Sequence, residues 1–362
     1  MLFHLLLPLQ EQFPLFNVFR YITLRAAAAV VTALLLCLLF GPAFVRILRR
    51  LSIGQNIRDV GPDRHQVKAG TPTMGGLLIL LAVLAPTLLW ADLRNPFVWI
   101  AVSVTAGFGL IGFVDDLLKV RRRQNLGLSV KLKLSLQVLV ALAAGLAIMN
   151  LPEKYAFETS IALPFFKRAI YDLGVFYLPF VALVLVGASN AVNLTDGLDG
   201  LAIGATLVAA ATYAIFTYVA GNSVVAGYLQ VPYVRGVGEV TVFCAALVGA
   251  SLGFLWFNSH PAEVFMGDVG SLSIGGAIGI VAVLSKQEIV LLLVGGLFVL
   301  EALSVILQVG FFKATGGRRI FRMAPLHHHF ELCGWAEPKI IVRFWILAIL
   351  FALLGLSTLK LR

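Results

Sequence analysis

Charge is what this chain has least of. Only 13% of its 362 residues are Asp, Glu, Lys or Arg, against about 25% in soluble globular chains. With 60% hydrophobic residues and a mean hydropathy of +0.95, that scarcity indicates an integral membrane protein. Cysteine is nearly missing as well. Cys37 and Cys244 fall inside apolar runs and Cys333 in a polar loop, which gives neither a disulfide framework nor a metal-ligand spacing. No Gly-x-x-x-x-Gly-Lys-Ser/Thr loop occurs, so a P-loop ATPase is excluded. No internal repeat and no Pro- or Ser-rich linker divides the chain, and residues 1–362 read as one membrane domain. Met1–Arg25 lacks a basic n-region and a small-residue cleavage site, so it reads as an interfacial segment, not a signal peptide.

The apolar runs are about 20 residues long, the length of a spanning helix; barrel strands would be about 10 residues and alternating. Ten spans are expected, at 22–45, 73–91, 97–114, 131–150, 173–190, 200–220, 239–257, 269–285, 288–312 and 340–358. The ninth is expected to kink or break at Gly295-Gly296. The fold class is therefore an all-α, roughly ten-helix membrane protein. Its net charge of +10 is no sign of nucleic acid, because the cations cluster. Arg46, Arg49, Arg50, Arg58, Arg64 and Lys68 follow the first span; Lys119, Arg121, Arg122, Arg123, Lys131 and Lys133 follow the third; Lys313, Arg318, Arg319, Arg322, Lys339 and Arg343 follow the ninth. By the positive-inside rule those loops are cytoplasmic and both termini are periplasmic. The catalytic loops expected on that face are 46–72, 115–133, 190–200, 258–270 and 313–340.

Five aspartates lie at span ends on the same face: Asp115, Asp116, Asp196, Asp199 and Asp268. A carboxylate at a bilayer boundary is costly unless paired, hydrated or metal-bound. Asp115 and Asp116 are adjacent, so on a helix their side chains diverge by about 100°; one is expected to enter a site while the other caps or orients a lysine. Asp196 and Asp199 lie in Asn190-Ala-Val-Asn-Leu-Thr-Asp-Gly-Leu-Asp-Gly200. They are neighbours if that segment is helical, and Asp196 is a candidate N-cap for the sixth span. Asp268 opens the eighth span and is also a candidate N-cap, with Asn258, His260, Glu263 and Phe265 before it. Phe265 is placed to stack on a base or to anchor at the interface. Pro72, in Thr71-Pro-Thr-Met-Gly-Gly76, suits a helix start. His327-His328-His329 follows Pro325 in a basic loop; three consecutive histidines make poor zinc ligands and read better as donors to phosphate or sugar. Glu301, inside the ninth span, reads as a hydrogen-bond partner for a neighbouring helix. Hard carboxylates favour Mg²⁺ over zinc, and Mg²⁺ with lysines is a usual clamp for a diphosphate undergoing phosphoryl transfer.

These motifs, with Phe113-Val-Asp-Asp-Leu117, Phe265-Met-Gly-Asp-Val-Gly-Ser271 and Pro325-Leu-His-His-His-Phe-Glu331, resemble the polyprenyl-phosphate N-acetylhexosamine-1-phosphate transferases. Within them the chain is similar to the phospho-N-acetylmuramoyl-pentapeptide transferase family, and the His triplet followed by Phe-Glu favours that branch. The resemblance implies transfer of phospho-MurNAc-pentapeptide from UDP-MurNAc-pentapeptide to undecaprenyl phosphate, giving lipid I and UMP. It also implies Mg²⁺ dependence, a homodimer and a bacterial inner-membrane location with a cytoplasmic active site. Residue by residue, it implies that Asp115, Asp116 and Asp268 are catalytic and that Asp268 is the metal ligand. It implies that Lys68, Thr73, Lys119, Lys133, Asn190, Asp196, Asp199, Asn258, Phe265, His327, His328 and His329 bind substrate, with Lys131 competing with Lys133 for one role. Direct attack and a covalent phospho-enzyme both stay open. The competing readings are a sister transferase using another UDP-N-acetylhexosamine and a secondary transporter. A transporter would place its acids near the midplane, commonly in repeated halves.

Overall fold

With no water in the bilayer core to satisfy backbone N–H and C=O groups, a long apolar run must close its hydrogen bonds internally, which a helix does. The computed structural model describes residues 1–51, 70–122, 126–155, 157–166 and 170–360. A short helix α1 (Leu2–Leu6) and two 3₁₀ turns lead into α2 (Ile22–Arg50). Then come α3 (Gly76–Trp90), α4 (Pro96–Arg122), α5 (Val130–Met149), α6 (Tyr177–Thr195), α7 (Leu201–Ala220), the short α8 (Ser223–Leu229), α9 (Val240–Asn258) and α10 (Gly267–Leu284). The ninth run is broken at Gly295 into α11 (Leu291–Val294) and α12 (Gly296–Ala314), and α13 (Leu326–Leu332) and α14 (Glu337–Ser357) complete the chain.

Among the described residues, nine helices are long and apolar enough to cross a membrane. The expected second span is shorter. Its helix α3 has 15 residues, about 22 Å of rise, because residues 71–75 stay outside the helix and the main chain at Pro72, Gly75 and Gly76 pairs with Phe265 and Met266. One further departure from an all-α chain is a two-stranded antiparallel hairpin between α5 and α6. Its strands are β1 (Ser160–Ala162) and β2 (Ile170–Asp172), with Ser160 opposite Asp172.

Helix α10 is the axis of the bundle. Every residue from Val269 to Leu284 is buried, and α4 and α6 pack along it. Its glycines allow this. A Cβ on Gly275 would press into the backbone of Ala188 and Ser189 on α6. The second close seam joins α2 to α9. Ala29, Ala33, Cys37, Gly41 and Val45 recur every fourth residue and are buried, while Val31, Leu35 and Leu39 on the same helix are exposed. Small residues inside and large apolar ones outside is the pattern for helices packing in lipid, where close van der Waals approach replaces a hydrophobic drive.

The two chain ends share one end of the bundle. The Met1 ammonium donates to Leu88 O, 2.6 Å away at the far end of α3, and Lys360 lies 4.0 Å from the Tyr228 ring centroid in α8. The aspartates occupy the other end, where α3 and α7 begin and where α4 and α6 finish.

Candidate active site

Asp115 and Asp116 come from the last turns of α4, and Asp268 is the second residue of α10. The α4–α10 contact brings them together. Gly112, one turn before Asp116, leaves no room for a Cβ, which would collide with the carbonyl of Asp268. The three carboxylates each offer an oxygen, and these oxygens all lie within 4.8 Å of one another. Both adjacent acids therefore face the site, against the expected divergence. The reason is Lys119. It stands four residues after Asp115 and three after Asp116, so the two acids flank it one turn away. Its Nζ is 2.6 Å from Asp115 Oδ2, 3.5 Å from Asp116 Oδ1 and 3.0 Å from Asp268 Oδ2.

A second cation completes the cluster. Lys133 of α5 donates to Asp268 Oδ2 at 2.5 Å and lies 3.9 Å from Asp115 Oδ2. Lys131 is exposed, and of the two lysines it is Lys133 that reaches the acid cluster. Three carboxylates thus face two ammonium groups, leaving one formal negative charge. The acids are also tied to the backbone. Asp115 Oδ1 accepts from the N–H of Leu128 at 2.8 Å, and Asp116 Oδ2 accepts from the N–H of Val269 at 3.1 Å. Asp268 Oδ1 accepts from Asn193 Nδ2 at 3.0 Å, and Asn193 also donates to Ser271 Oγ at 2.8 Å. Asp268 therefore faces the cluster and does not act as an N-cap. Sequence reasoning passed over Asn193, although it sits three residues after Asn190 in the polar run and shares its side of α6.

The Thr71–Gly76 motif is fixed by main chain. Phe265 N–H donates to Pro72 O, Gly75 N–H to Phe265 O and Gly76 N–H to Met266 O, each at 2.8 Å. Pro72 is thus in an extended clasp, not at a helix start. Met74 within it has a φ of 71°, a strained value for a non-glycine residue held by its surroundings. The clasp places Thr73, which is buried, beside Gly267 and next to Asp116. The Phe265 ring is half-buried and stacks on no other ring among the described residues.

The remaining candidates form a wall beside the acids. Asn190 is turned toward α5, with Nδ2 donating to Gln137 Oε1 and Val186 O, both at 2.8 Å. Asp196 closes the C-terminal end of α6, so it does not N-cap α7, and residues 196–200 form a turn, not a helix. Crowding by the surrounding helix ends, then the charges of Asp268, Asp116 and Asp199, push its carboxyl up to about 8. Asp199 points away from Asp196. Its Oδ2 lies 3.0 Å from His260 Nδ1 and accepts from the N–H of Ala262 at 3.1 Å, while its own N–H donates to Glu337 Oε1 at 3.1 Å. Asp199, His260 and Glu337 form a second group with ligand atoms within 4.8 Å of one another, clasping three segments. Asn258 acts as a strut: Oδ1 accepts from Gly200 N–H at 3.0 Å and Nδ2 donates to Val264 O at 2.8 Å.

The three histidines lie on helix α13, not in a loop, and diverge as consecutive helical residues must. His327 is fully buried against Glu301. His328 Nδ1 is 2.7 Å from Glu331 Oε2, and His329 Nδ1 accepts from the N–H of Arg322 at 3.1 Å. Lys68 lies outside the described residues.

Comparison with known proteins finds related sequences over the whole chain. Residues 98–286 match the glycosyl transferase family 4 model, and residues 68–80 match phospho-N-acetylmuramoyl-pentapeptide-transferase signature 1. The phospho-N-acetylmuramoyl-pentapeptide-transferase of Citrifermentans bemidjiense is 59% identical over 362 residues, covering 100% of both chains. Those of Nitratidesulfovibrio vulgaris, strain Hildenborough, and Solidesulfovibrio magneticus are each 61% identical, again over 100% of both chains.

Proposed function

The chain belongs to the phospho-N-acetylmuramoyl-pentapeptide-transferase family, and from that premise we propose how its acids and lysines divide the work. It is a glycosyl-1-phosphate transferase of peptidoglycan synthesis, moving phospho-MurNAc-pentapeptide from a UDP carrier to a polyprenyl phosphate in the membrane. In our reading the acceptor is undecaprenyl phosphate. One of its phosphate oxygens attacks the phosphorus attached to the sugar; the bond from that phosphorus to the bridging oxygen breaks, and UMP leaves with the bridging oxygen. The products are lipid I and UMP.

The observation that carries this reading is the convergence of Asp115, Asp116 and Asp268 with Lys119 and Lys133. Three all-oxygen donors within 4.8 Å fit Mg²⁺, which takes carboxylates and retains water. Asp268, with Asp115 or Asp116, would hold it. When bound, Mg²⁺ supplies charge neutralisation on the diphosphate. Lys119 and Lys133 hold phosphate oxygens and balance the charge gathering on the leaving UMP. Whichever of Asp115 and Asp116 is not on the metal orients the lipid phosphate or takes its proton.

Thr73, Asn190, Asp196, Asp199, Asn258, Phe265 and the three histidines shape or contact the nucleotide-sugar pocket, with Phe265 stacked on uracil, and Lys68 joins them. The whole chain works as one domain, its active surface built from the loops 46–72, 115–133, 190–200, 258–270 and 313–340. In this reading the clustered basic loops support a cytoplasmic active surface with both chain ends in the periplasm, and the protein works as a homodimer in the bacterial inner membrane. The test is UMP release by detergent-purified protein given UDP-MurNAc-pentapeptide and undecaprenyl phosphate, with Mg²⁺ or with EDTA. UMP that needs both lipid and Mg²⁺ is expected; its absence from folded protein would refute the reading.

A further inference from the structure

Glu301 on α12 and His327 on α13 are both 0% exposed, and neither belongs to the acid cluster. A carboxylate inside a membrane bundle is retained at a cost unless something answers it. Here a single residue stands against both of its oxygens. The backbone N–H of His327 donates to Glu301 Oε1 at 3.2 Å, and the ring Nδ1 lies 3.3 Å from Glu301 Oε2. The first contact answers one of the N–H groups left without a helical partner in the first turn of α13. The second is a close approach of the carboxylate to the ring that does not close as a hydrogen bond: among the described residues Glu301 Oε2 and both ring nitrogens are buried without a hydrogen-bond partner.

That Nε2 is buried and has no hydrogen-bond partner among the described residues. It is seated on Gly197, where any Cβ would collide with it. Gly197 stands between Asp196 and Asp199 in the turn from α6 to α7. The imidazole is therefore wedged between a fixed carboxylate and the backbone of the turn that carries both acids.

We propose that Glu301 is a positioning residue: through the His327 ring it sets the turn 196–199 against the nucleotide half of the substrate. This deepens the functional reading above and rests on it, since that reading assigns the turn to the nucleotide. The substitution Glu301→Gln tests it sharply. Glutamine can still accept from the His327 N–H, but it removes the carboxylate charge that stands 3.3 Å from the ring Nδ1 and so loosens the ring's seat against Gly197.

The experiment uses the full chain in detergent. Rates of UMP release are measured against UDP-MurNAc-pentapeptide and, separately, undecaprenyl phosphate. UMP binding is measured by calorimetry and folding by thermal melting. The variants are Glu301→Gln, Glu301→Asp, His327→Asn and the Gln/Asn double. For Glu301→Gln, KM for the nucleotide substrate should rise and UMP affinity fall by roughly tenfold, the scale seen when a buried orienting partner is lost. The KM for the lipid and kcat should stay near wild type. Glu301→Asp should recover part of the loss, and the double variant should be no worse than His327→Asn alone, because both act through one ring. Unchanged nucleotide KM and UMP affinity, or losses that add in the double variant, would overturn the proposal. Should Glu301→Gln melt far below wild type, Gly197→Ala displaces the turn with both partners intact; an unchanged nucleotide KM there overturns it equally. A wild type that releases no UMP sinks the functional reading instead, and the UMP affinities still decide the role of Glu301.

Discussion

Replacing Asp268 by Asn changes the cluster's charge from one net negative to neutral while keeping its volume. The geometry shows why asparagine cannot substitute. Asp268 uses one oxygen for Lys119 and Lys133 and the other for Asn193. An amide has a single oxygen, so either the lysines or Asn193 must face an N–H₂ donor. The fold should tolerate this, because removing one of three crowded carboxylates relieves repulsion as it loses a hydrogen bond of about 1 kcal/mol. Cation binding should not tolerate it. Two unit charges about 4 Å apart interact by about 4 kcal/mol at an effective dielectric of 20, and 1.4 kcal/mol is a factor of ten. Losing one such contact weakens Mg²⁺ binding or turnover by on the order of 10³-fold. The assay is UMP release over a Mg²⁺ titration, alongside a melting curve. Turnover within tenfold of wild type at every Mg²⁺ concentration would refute the argument, as would a loss explained by collapse of the melting temperature.

Three further outcomes follow from the same geometry. Lys133→Ala should cut kcat by roughly 10²-fold, the scale of losing one preorganised electrostatic contact, whereas Lys131→Ala should stay within twofold; equal losses in paired rate measurements would place the cation wrongly. Gly112→Ala should cost about 1–3 kcal/mol, since its new Cβ meets the Asp268 carbonyl; a detergent melt matching wild type would show that α4 and α10 can part freely there. Asp196 carries a pH prediction. Its carboxyl is raised from 3.8 to about 8, so the folded state holds that proton more tightly than the unfolded chain does. Its contribution is fully present below pH 3.8 and is lost as pH rises toward about 8. In EDTA, wild type should therefore lose more melting temperature between pH 6 and pH 9 than Asp196→Asn. Equal losses would count against the shift.

The parts of this molecule that could be read from sequence are those where lipid dictates the pattern. Spans such as Leu201–Ala220 and Val240–Asn258 lie within a few residues of the expected 200–220 and 239–257, because length and hydropathy are local properties. The Gly295 break was legible for the same reason: two adjacent glycines weaken a helix wherever it packs. The acidic motifs stood out because a charge is rare in such a background. Partners were another matter. Nothing within residues 71–76 says that they pair with residues 265–266, so the second span was drawn too long. The adjacency of Asp115 and Asp116 suggested divergence, until Lys119 and a helix more than 150 residues away supplied the point on which they converge.

Asn193 and Glu301 show what such a reading undervalues. Both were visible, one an uncharged residue inside a polar run and one an acid inside an apolar span, and neither stands in a position that demands chemistry. Their importance arises only when the chain is closed. Asn193 reaches Asp268 because α6 packs on α10, and Glu301 reaches His327 because α13 folds back against α12. In each case an uncharged or buried group holds another side chain in place, Asp268 in the acid cluster and His327 against the 196–199 turn. If that is the division of labour, substitutions at the acids should act on kcat and on Mg²⁺ dependence together, while substitutions at the supporting residues should spare kcat and act through the group each one holds, Glu301 on nucleotide KM and Asn193 on Mg²⁺ dependence. Asn193→Ala is the case that separates the two. It removes a hydrogen bond from Asp268 without removing the charge, so its effect should appear chiefly as a raised Mg²⁺ requirement, with kcat at saturating Mg²⁺ within about threefold of wild type for a bond of this size. A fall in kcat that saturating Mg²⁺ does not restore would instead place Asn193 among the groups that touch the reacting phosphates.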